Sequence, residues 1–227
     1  MKKLSAFLFL LMIAAACTKP TTSNQISLEE YFYPLKQEKT AYVYLDTLQP
    51  LDEKIHLFYK GKLKNEEVLF LEAYKANIRL TEGYTFKVND SVSVVEHMTI
   101  DRWNQKRRSF MRANGYLPGS QQSDSYMNVS FPSHIDSVST FYESKKSCIN
   151  QDTNFVFEGK TYPAILVRDS IKMSLYNSFN GKGKSNIFAT NNLYAKGLGL
   201  VAYASADNKY LHVLSRILTQ KEWEALQ

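Results

Sequence analysis

Short runs of alternating apolar and polar residues, rich in β-branched and aromatic side chains, recur along most of this chain. A side-chain period of two is the pattern of a β-strand with one buried face. Turn dipeptides such as Asn114-Gly115 and Asn180-Gly181 separate many of the runs. We count thirteen candidate strands, at residues 40–48, 55–59, 68–74, 84–88, 91–100, 106–113, 126–131, 137–142, 155–157, 161–168, 171–179, 193–203 and 210–218.

Helical signals are confined to the two ends of this pattern. Ser27 and Glu30 match a capping box, as do Thr219 and Glu222, and we expect Trp223 to pack a short C-terminal helix onto the sheet. The sequence therefore predicts an all-β fold, a large curved antiparallel sheet or an open barrel with a short C-terminal helix. We expect a single domain over residues 28–227, with two similar sheet halves joined near residues 116–136 as the alternative.

The first sixteen residues have the organisation of a secretory signal. Lys2 and Lys3 precede a run of thirteen uncharged residues, 4–16, which ends in three alanines. A positive start, a short apolar run and a small-residue cleavage site are typical of a signal peptide, whereas a membrane-spanning helix needs about 20 apolar residues. We therefore predict that residues 1–16 are a signal peptide and are removed.

Cleavage would leave Cys17 at the new N-terminus, and the sequence around it resembles a bacterial lipoprotein signal peptide. In that family the cysteine sulfur carries a diacylglycerol, so the resemblance implies lipid attachment at Cys17 and a polar tether over residues 17–27. Ala14 stands where the family prefers leucine, which leaves an ordinary secretory signal as the alternative. No acidic residue precedes Glu29, and we expect a cell-envelope protein that is anchored to the outer membrane and faces the periplasm.

Three separated patches resemble an uncharacterised family of exported bacterial β-sheet proteins. They are Tyr31-Phe-Tyr-Pro-Leu with the aromatic run 40–44, Tyr116-Leu-Pro-Gly, and Leu193-Tyr-Ala-Lys-Gly-Leu-Gly-Leu-Val. Gln37 and Lys39 depart from the family, which usually has Val-Gly there. The resemblance implies an antiparallel sheet and export, and no chemistry. In the last patch, Gly197 and Gly199 predict a bulge or a tight bend, with a ligand resting on bare backbone as the alternative.

The sequence contains no catalytic motif. A Gly-x-Ser-x-Gly elbow and a zincin pair are missing, and the four histidines are far apart and not at ligand spacing, so we expect no catalytic, cofactor or metal residues. The end of a phosphate loop, Gly183-Lys184-Ser185, lacks the first glycine and a following helix, and indicates a basic hairpin tip. Cys148 is expected to be a passive thiol, with a reactive or intermolecular one as the alternative. A hydrolase built from distant residues stays a minor alternative.

Five cations interleave with aromatic residues between positions 102 and 112. A guanidinium grips phosphate or carboxylate, so these residues form a possible patch for an anionic partner, with a merely solvated strand face as the alternative. The modest net charge of +6 and the expected export exclude nucleic acid as a partner. The five residues are Arg102, Lys106, Arg107, Arg108 and Arg112.

The form Asp-(Ser/Thr)-aliphatic occurs four times, more often than composition predicts. It resembles an O-glycosylation signal that some Gram-negative bacteria use on exported proteins, and it also fits turn chemistry ahead of a strand. The candidate glycosylation residues are Thr47, Ser91, Ser137 and Ser170.

Thirty aromatic residues exceed what core filling requires. We therefore expect a lipid-anchored, non-catalytic binding or carrier module whose concave aromatic face receives a lipid, a glycan or an envelope partner. An envelope assembly or structural lipoprotein is the alternative function.

Overall fold

A computed structural model describes residues 28–49, 51–88, 92–118 and 123–227. The predicted signal peptide, Cys17, the tether, Ser27 and Ser91 lie outside these ranges. A 3₁₀ turn, Leu28–Tyr31, is followed by thirteen strands. These are β1 (Thr40–Asp46), β2 (Glu53–Leu63), β3 (Glu66–Lys75), β4 (Leu80–Val88), β5 (Val92–Ile100), β6 (Lys106–Arg108), β7 (Phe110–Ala113), β8 (Ser125–Pro132), β9 (Val138–Phe157), β10 (Lys160–Asn177), β11 (Lys182–Ala195), β12 (Gly199–Ser205) and β13 (Leu211–Leu218).

All thirteen strands form one antiparallel sheet. Their order is β6-β5-β4-β3-β2-β1-β13-β12-β11-β10-β9-β8-β7, so β6 and β7 lie at opposite ends of the sheet although only Ser109 separates them in the chain. The Ser109 N–H donates to the His97 carbonyl on β5 (2.9 Å), and the Tyr116 N–H donates to the Val92 carbonyl (2.7 Å). The sheet therefore curls until its ends meet, and the predicted all-β open barrel is confirmed.

Several strand boundaries differ from the prediction, and residues 182–192, where no strand is predicted, belong to β11. The runs predicted at 137–142 and 155–157 are one strand, β9, and those at 161–168 and 171–179 are one strand, β10, because the two pair with each other along most of their length. Residues 106–113 form two strands instead of one, since the chain crosses between sheet ends at Ser109. Residues 193–203 also divide, because Gly197 and Gly199 take positive φ and form the β11–β12 turn.

The inner face of the barrel is filled by aromatic side chains and by a segment of the chain itself, residues 31–33, which we call the plug. Phe32 packs edge-on against Phe86 (ring centroids 5.1 Å apart), and Tyr33 stacks on Phe58 (3.6 Å). The Tyr33 hydroxyl shares a hydrogen bond with the Tyr44 hydroxyl (2.8 Å). The concave face that was expected to receive a ligand is thus filled, around the plug, by aromatic rings of the chain itself.

The plug also explains the glycine pair. A Cβ on Gly199 would lie 2.6 Å from Cδ1 of Tyr33, and the Gly197 N–H donates to the Glu30 carbonyl (2.9 Å). The bare backbone of the β11–β12 turn is therefore covered by the plug.

The C-terminal helix α1 (Gln220–Glu224) begins as predicted. Thr219 and Glu222 form both hydrogen bonds of a capping box, and Trp223 is buried on the outer face of the sheet, 5.1 Å from the Tyr74 ring. Within the described ranges, no helix is both long enough and apolar enough to cross a membrane.

Candidate functional site

An open groove crosses the outer face of β2 to β6. Strand pairing sets its two rows of side chains, because directly paired residues share a face of the sheet. One row runs through Tyr59, Phe70, Thr85 and Glu96, and the other runs through Leu57, Glu72, Gly83, Met98 and Arg108. The space between them is about 380 Å³. We call it the outer groove.

The floor of the outer groove is low because of Gly83. A Cβ at this position would lie 2.5 Å from Cε of Met98 and 3.3 Å from the Leu71 carbonyl oxygen, so the absence of a side chain on Gly83 lets the side chain of Met98 lie over it. Tyr59 and Phe70 stack at one side with ring centroids 5.3 Å apart. The groove therefore combines a floor formed by Met98 over Gly83 with an aromatic wall.

Paired charges form the opposite side of the outer groove. Arg108 contacts Glu96 (2.8 Å), and Lys106 contacts Glu72 (3.4 Å). The hydroxyl of Tyr74 also donates to Glu72 (2.7 Å). This wall presents donors and acceptors side by side and has little net charge.

The structure divides the five predicted cations among different places. Lys106 and Arg108 lie on β6 beside the outer groove, whereas Arg112 lies on β7, after the crossing at Ser109. Arg107 contacts Asp101 (2.8 Å) and Arg102 contacts Asp136 (2.6 Å), both away from the groove rows. An anionic partner for these residues stays a prediction, with four of the five already facing a carboxylate.

A serine, a histidine and a glutamate meet where the sheet closes. Ser109 Oγ hydrogen-bonds to His97 Nδ1 (2.8 Å), and His97 Nε2 lies 3.5 Å from Glu82 Oε2. Although burial opposes ionisation, the contacts with His97 and Tyr84 hold the pKa of Glu82 below its ordinary value. Ser109 is only 8% exposed, so the group resembles a hydrolase triad in composition but hides the atom that would have to attack. It joins β5 to the β6–β7 crossing.

A second polar group lies inside the barrel on β9 and β10. Lys146 is buried, its Nζ donates to the Tyr116 carbonyl (3.2 Å), and it lies 3.6 Å from the centre of the Tyr116 ring. Burial lowers the pKa of Lys146 to about 8, and burial raises the pKa of Asp169, which accepts a hydrogen bond from Ser144 (2.7 Å). The charged groups of Lys146 and Asp169 therefore have polar or aromatic partners inside the barrel.

A third group lies at the rim of the barrel. Asp46 at the end of β1, Asp52 in the turn before β2, and His212 on β13 place potential metal-binding atoms within 4.8 Å of one another. Sequence spacing predicted no such cluster, because Asp46 and His212 face each other only through the pairing of β1 with β13.

The candidate glycosylation residues have different surroundings. Thr47 is exposed after β1, Ser137 is exposed in a turn, and Ser170 is exposed in the middle of β10, beside a shallow hollow of about 350 Å³. Turn chemistry ahead of a strand therefore fits Ser137 but not Ser170. Glycosylation itself stays a prediction.

Two further predictions concern single residues. Cys148 is buried, and burial raises the pKa of its thiol, as expected for a passive cysteine. Gly183 lies in β11 directly after the β10–β11 turn, where a strand follows it and not the helix that a phosphate loop requires.

Comparisons with known proteins return little. No family model matches the sequence, and no curated protein matches it. A solved structure from Bacteroides fragilis, of a protein with a YMCC-like fold for which export is inferred, aligns with 82% of this chain and 98% of its own, at 9% identity and a TM-score of 0.44. A likeness at this level assigns neither a family nor a function.

Proposed function

We propose that the protein is a lipid-anchored lipoprotein of the cell envelope that acts as a non-catalytic binding module for a glycan. The outer groove carries the proposal, since it is an open cleft of about 380 Å³ with an aromatic wall and a wall of paired charges. Clefts of several hundred cubic ångström with a few convergent polar groups are the usual form of a small-ligand site.

The chemistry of the two walls favours a sugar over the other ligands considered. A sugar ring has an apolar face of C–H groups, which suits the flat surface of Tyr59 and Phe70. Its hydroxyls both donate and accept, which suits the paired Glu96 and Arg108. A lipid chain would gain little binding free energy in this cleft, because one wall is charged and the mouth is open to solvent.

The burial of Ser109 supports a binding role over a hydrolytic one. In the outer groove Thr85 lies beside Glu96, but Thr85 is buried in the floor. An envelope assembly role remains the competing function, and the same experiment separates the two.

The groove is tested by binding to an array of bacterial cell-wall and surface oligosaccharides. We expect the full-length protein to retain a subset of these glycans and Tyr59→Ala to weaken that binding about tenfold, equal to about 1.4 kcal/mol. Tyr126→Ala is the matched control, because Tyr126 is an exposed tyrosine on β8, outside the groove. Binding to no glycan, or an equal loss in both variants, would exclude the proposed groove function.

The anchor is tested separately by metabolic labelling with a fatty acid. We expect label on the wild-type chain in the outer-membrane fraction and none on Cys17→Ser. An unlabelled wild-type chain would exclude the lipid anchor and leave the groove proposal unaffected.

A further inference from the structure

We propose that Asp46, Asp52 and His212 bind one Zn²⁺ ion, which links the β1–β2 turn to β13 at the rim of the barrel. This site is independent of the outer groove, which lies on the other face of the sheet. The three residues supply one imidazole nitrogen and two carboxylates, a donor set that zinc accepts with water completing the coordination.

The state of His212 is the observation that points to a ligand. The residue is 3% exposed, and neither ring nitrogen has a hydrogen-bond partner among the described residues. Buried polar groups are nearly always satisfied, so a buried imidazole with two unsatisfied nitrogens requires an explanation.

The distance between His212 and Asp52 fits a shared metal ion better than a hydrogen bond. His212 Nε2 lies 3.4 Å from Asp52 Oδ2, beyond the usual 2.7–3.2 Å of an N–H···O bond. Zinc binds nitrogen and oxygen at about 2.0–2.2 Å, so two such ligands on a tetrahedral ion lie about 3.4 Å apart. Asp46 also offers a carboxylate oxygen within 4.8 Å of the ligand atoms of the other two residues.

Neighbouring groups already hold the two carboxylate ligands in place. Asp46 Oδ1 accepts hydrogen bonds from the N–H groups of Leu48 (2.9 Å) and Leu211 (3.1 Å). Lys54 Nζ donates to Asp52 Oδ1 (2.6 Å), which leaves Oδ2 directed at His212. Such outer contacts orient metal ligands in known sites.

Packing and access also suit a metal. The ring of Tyr203 stacks on His212 with centroids 4.7 Å apart and an angle of 3° between the planes, which fixes the direction of the ring nitrogens. The side chain of Asp52 is 42% exposed, so an ion can reach the site from the solvent side.

The experiment is calorimetric titration of ZnCl₂ into EDTA-treated, full-length protein at pH 7.5, with the melting temperature measured in parallel. We expect one Zn²⁺ per chain, a higher melting temperature with zinc, and affinity reduced at least about tenfold in Asp52→Asn. His212→Phe, which keeps the stack on Tyr203, should lose binding as well. Glu53→Gln is the matched control, because it removes the same charge one residue away from Asp52.

The site is supported if Glu53→Gln still binds zinc and Asp52→Asn does not. Because Asp52 is partly exposed, we expect Asp52→Asn to fold, so this comparison holds even if the buried His212→Phe variant fails to fold. Absence of one-to-one binding, binding unchanged in Asp52→Asn, or an equal loss in Glu53→Gln would overturn the proposal. Binding of CaCl₂ but not ZnCl₂ would overturn the assignment to zinc.

Discussion

Replacement of Gly199 by alanine tests whether the plug seats on the β11–β12 turn as described. Gly199 has φ +90°, and an added Cβ would lie within 2.6–2.9 Å of three ring atoms of Tyr33. Gly197 in the same turn has φ +75°, and no described atom lies within 4 Å of the place its Cβ would take. The two glycines therefore share the conformational requirement and differ only in the contact with the plug.

The expected losses of unfolding free energy in the two variants follow from that difference. A side chain in the left-handed region costs about 1–2 kcal/mol, and this is the full expected cost of Gly197→Ala. Overpacking adds about 1–3 kcal/mol, so Gly199→Ala should lose about 2–5 kcal/mol of unfolding free energy. Tyr33 cannot move aside cheaply, because it stacks on Phe58 and hydrogen-bonds to Tyr44.

Equilibrium unfolding in urea, followed by far-ultraviolet circular dichroism, measures both variants. In a Tyr33→Ala background the clash is absent, so the cost of Gly199→Ala should fall to that of Gly197→Ala. Equal destabilisation by the two glycine substitutions in the wild-type background would refute the seating of Tyr33 on this turn.

Three further predictions concern buried groups. Ser109→Ala should cost about 1–3 kcal/mol in urea unfolding because it leaves a buried nitrogen of His97 without its partner, whereas the exposed Ser174→Ala should change little. Trp223→Ala should cost about 3–5 kcal/mol in the same assay, and a small loss would show that α1 is not held by this ring. Lys146 releases its proton at about pH 8 in the folded state and higher when unfolded, so the unfolded state binds more protons between pH 8 and 10. The unfolding free energy should therefore rise by about 2 kcal/mol over that range relative to Lys146→Met, and parallel pH profiles would contradict the cause given for the shift.

The side-chain period predicts the fold class but not the lengths of the longest strands. Residues 143–154 contain many polar side chains on both faces, a pattern typical of a loop, yet they continue β9. The outer side is exposed to solvent, while on the inner side Lys146 lies opposite Asp169, and the two find their partners in the Tyr116 carbonyl and the Ser144 hydroxyl. Pairing with a long neighbouring strand thus overrides the local pattern, which a single sequence does not reveal.

The candidate sites were less predictable than the fold because they depend on strand order. Alternation places Phe70 and Met98 on one face each, but only the order β3-β4-β5 brings those faces together. Asp46 stood out in the sequence for its Asp-Thr-Leu context, a glycosylation signal, and not for a partner 166 positions further on. The pairing of β1 with β13 closes the longest loop in the sheet, and no local signal encodes it.

The aromatic surplus has a different cause from the one the composition suggests. A concave sheet rich in tyrosine was expected to receive an external ligand, but the plug inserts Phe32 and Tyr33 among those rings and satisfies the Tyr44 hydroxyl. An external molecule would have to displace this segment, with the loss of a stacked pair and a buried hydrogen bond. On the outer groove no such displacement is required, because the space of about 380 Å³ between its walls is open. The aromatic residues therefore divide into an inner set that fills the barrel and a few that face outward, such as Tyr59 and Phe70 in the outer groove.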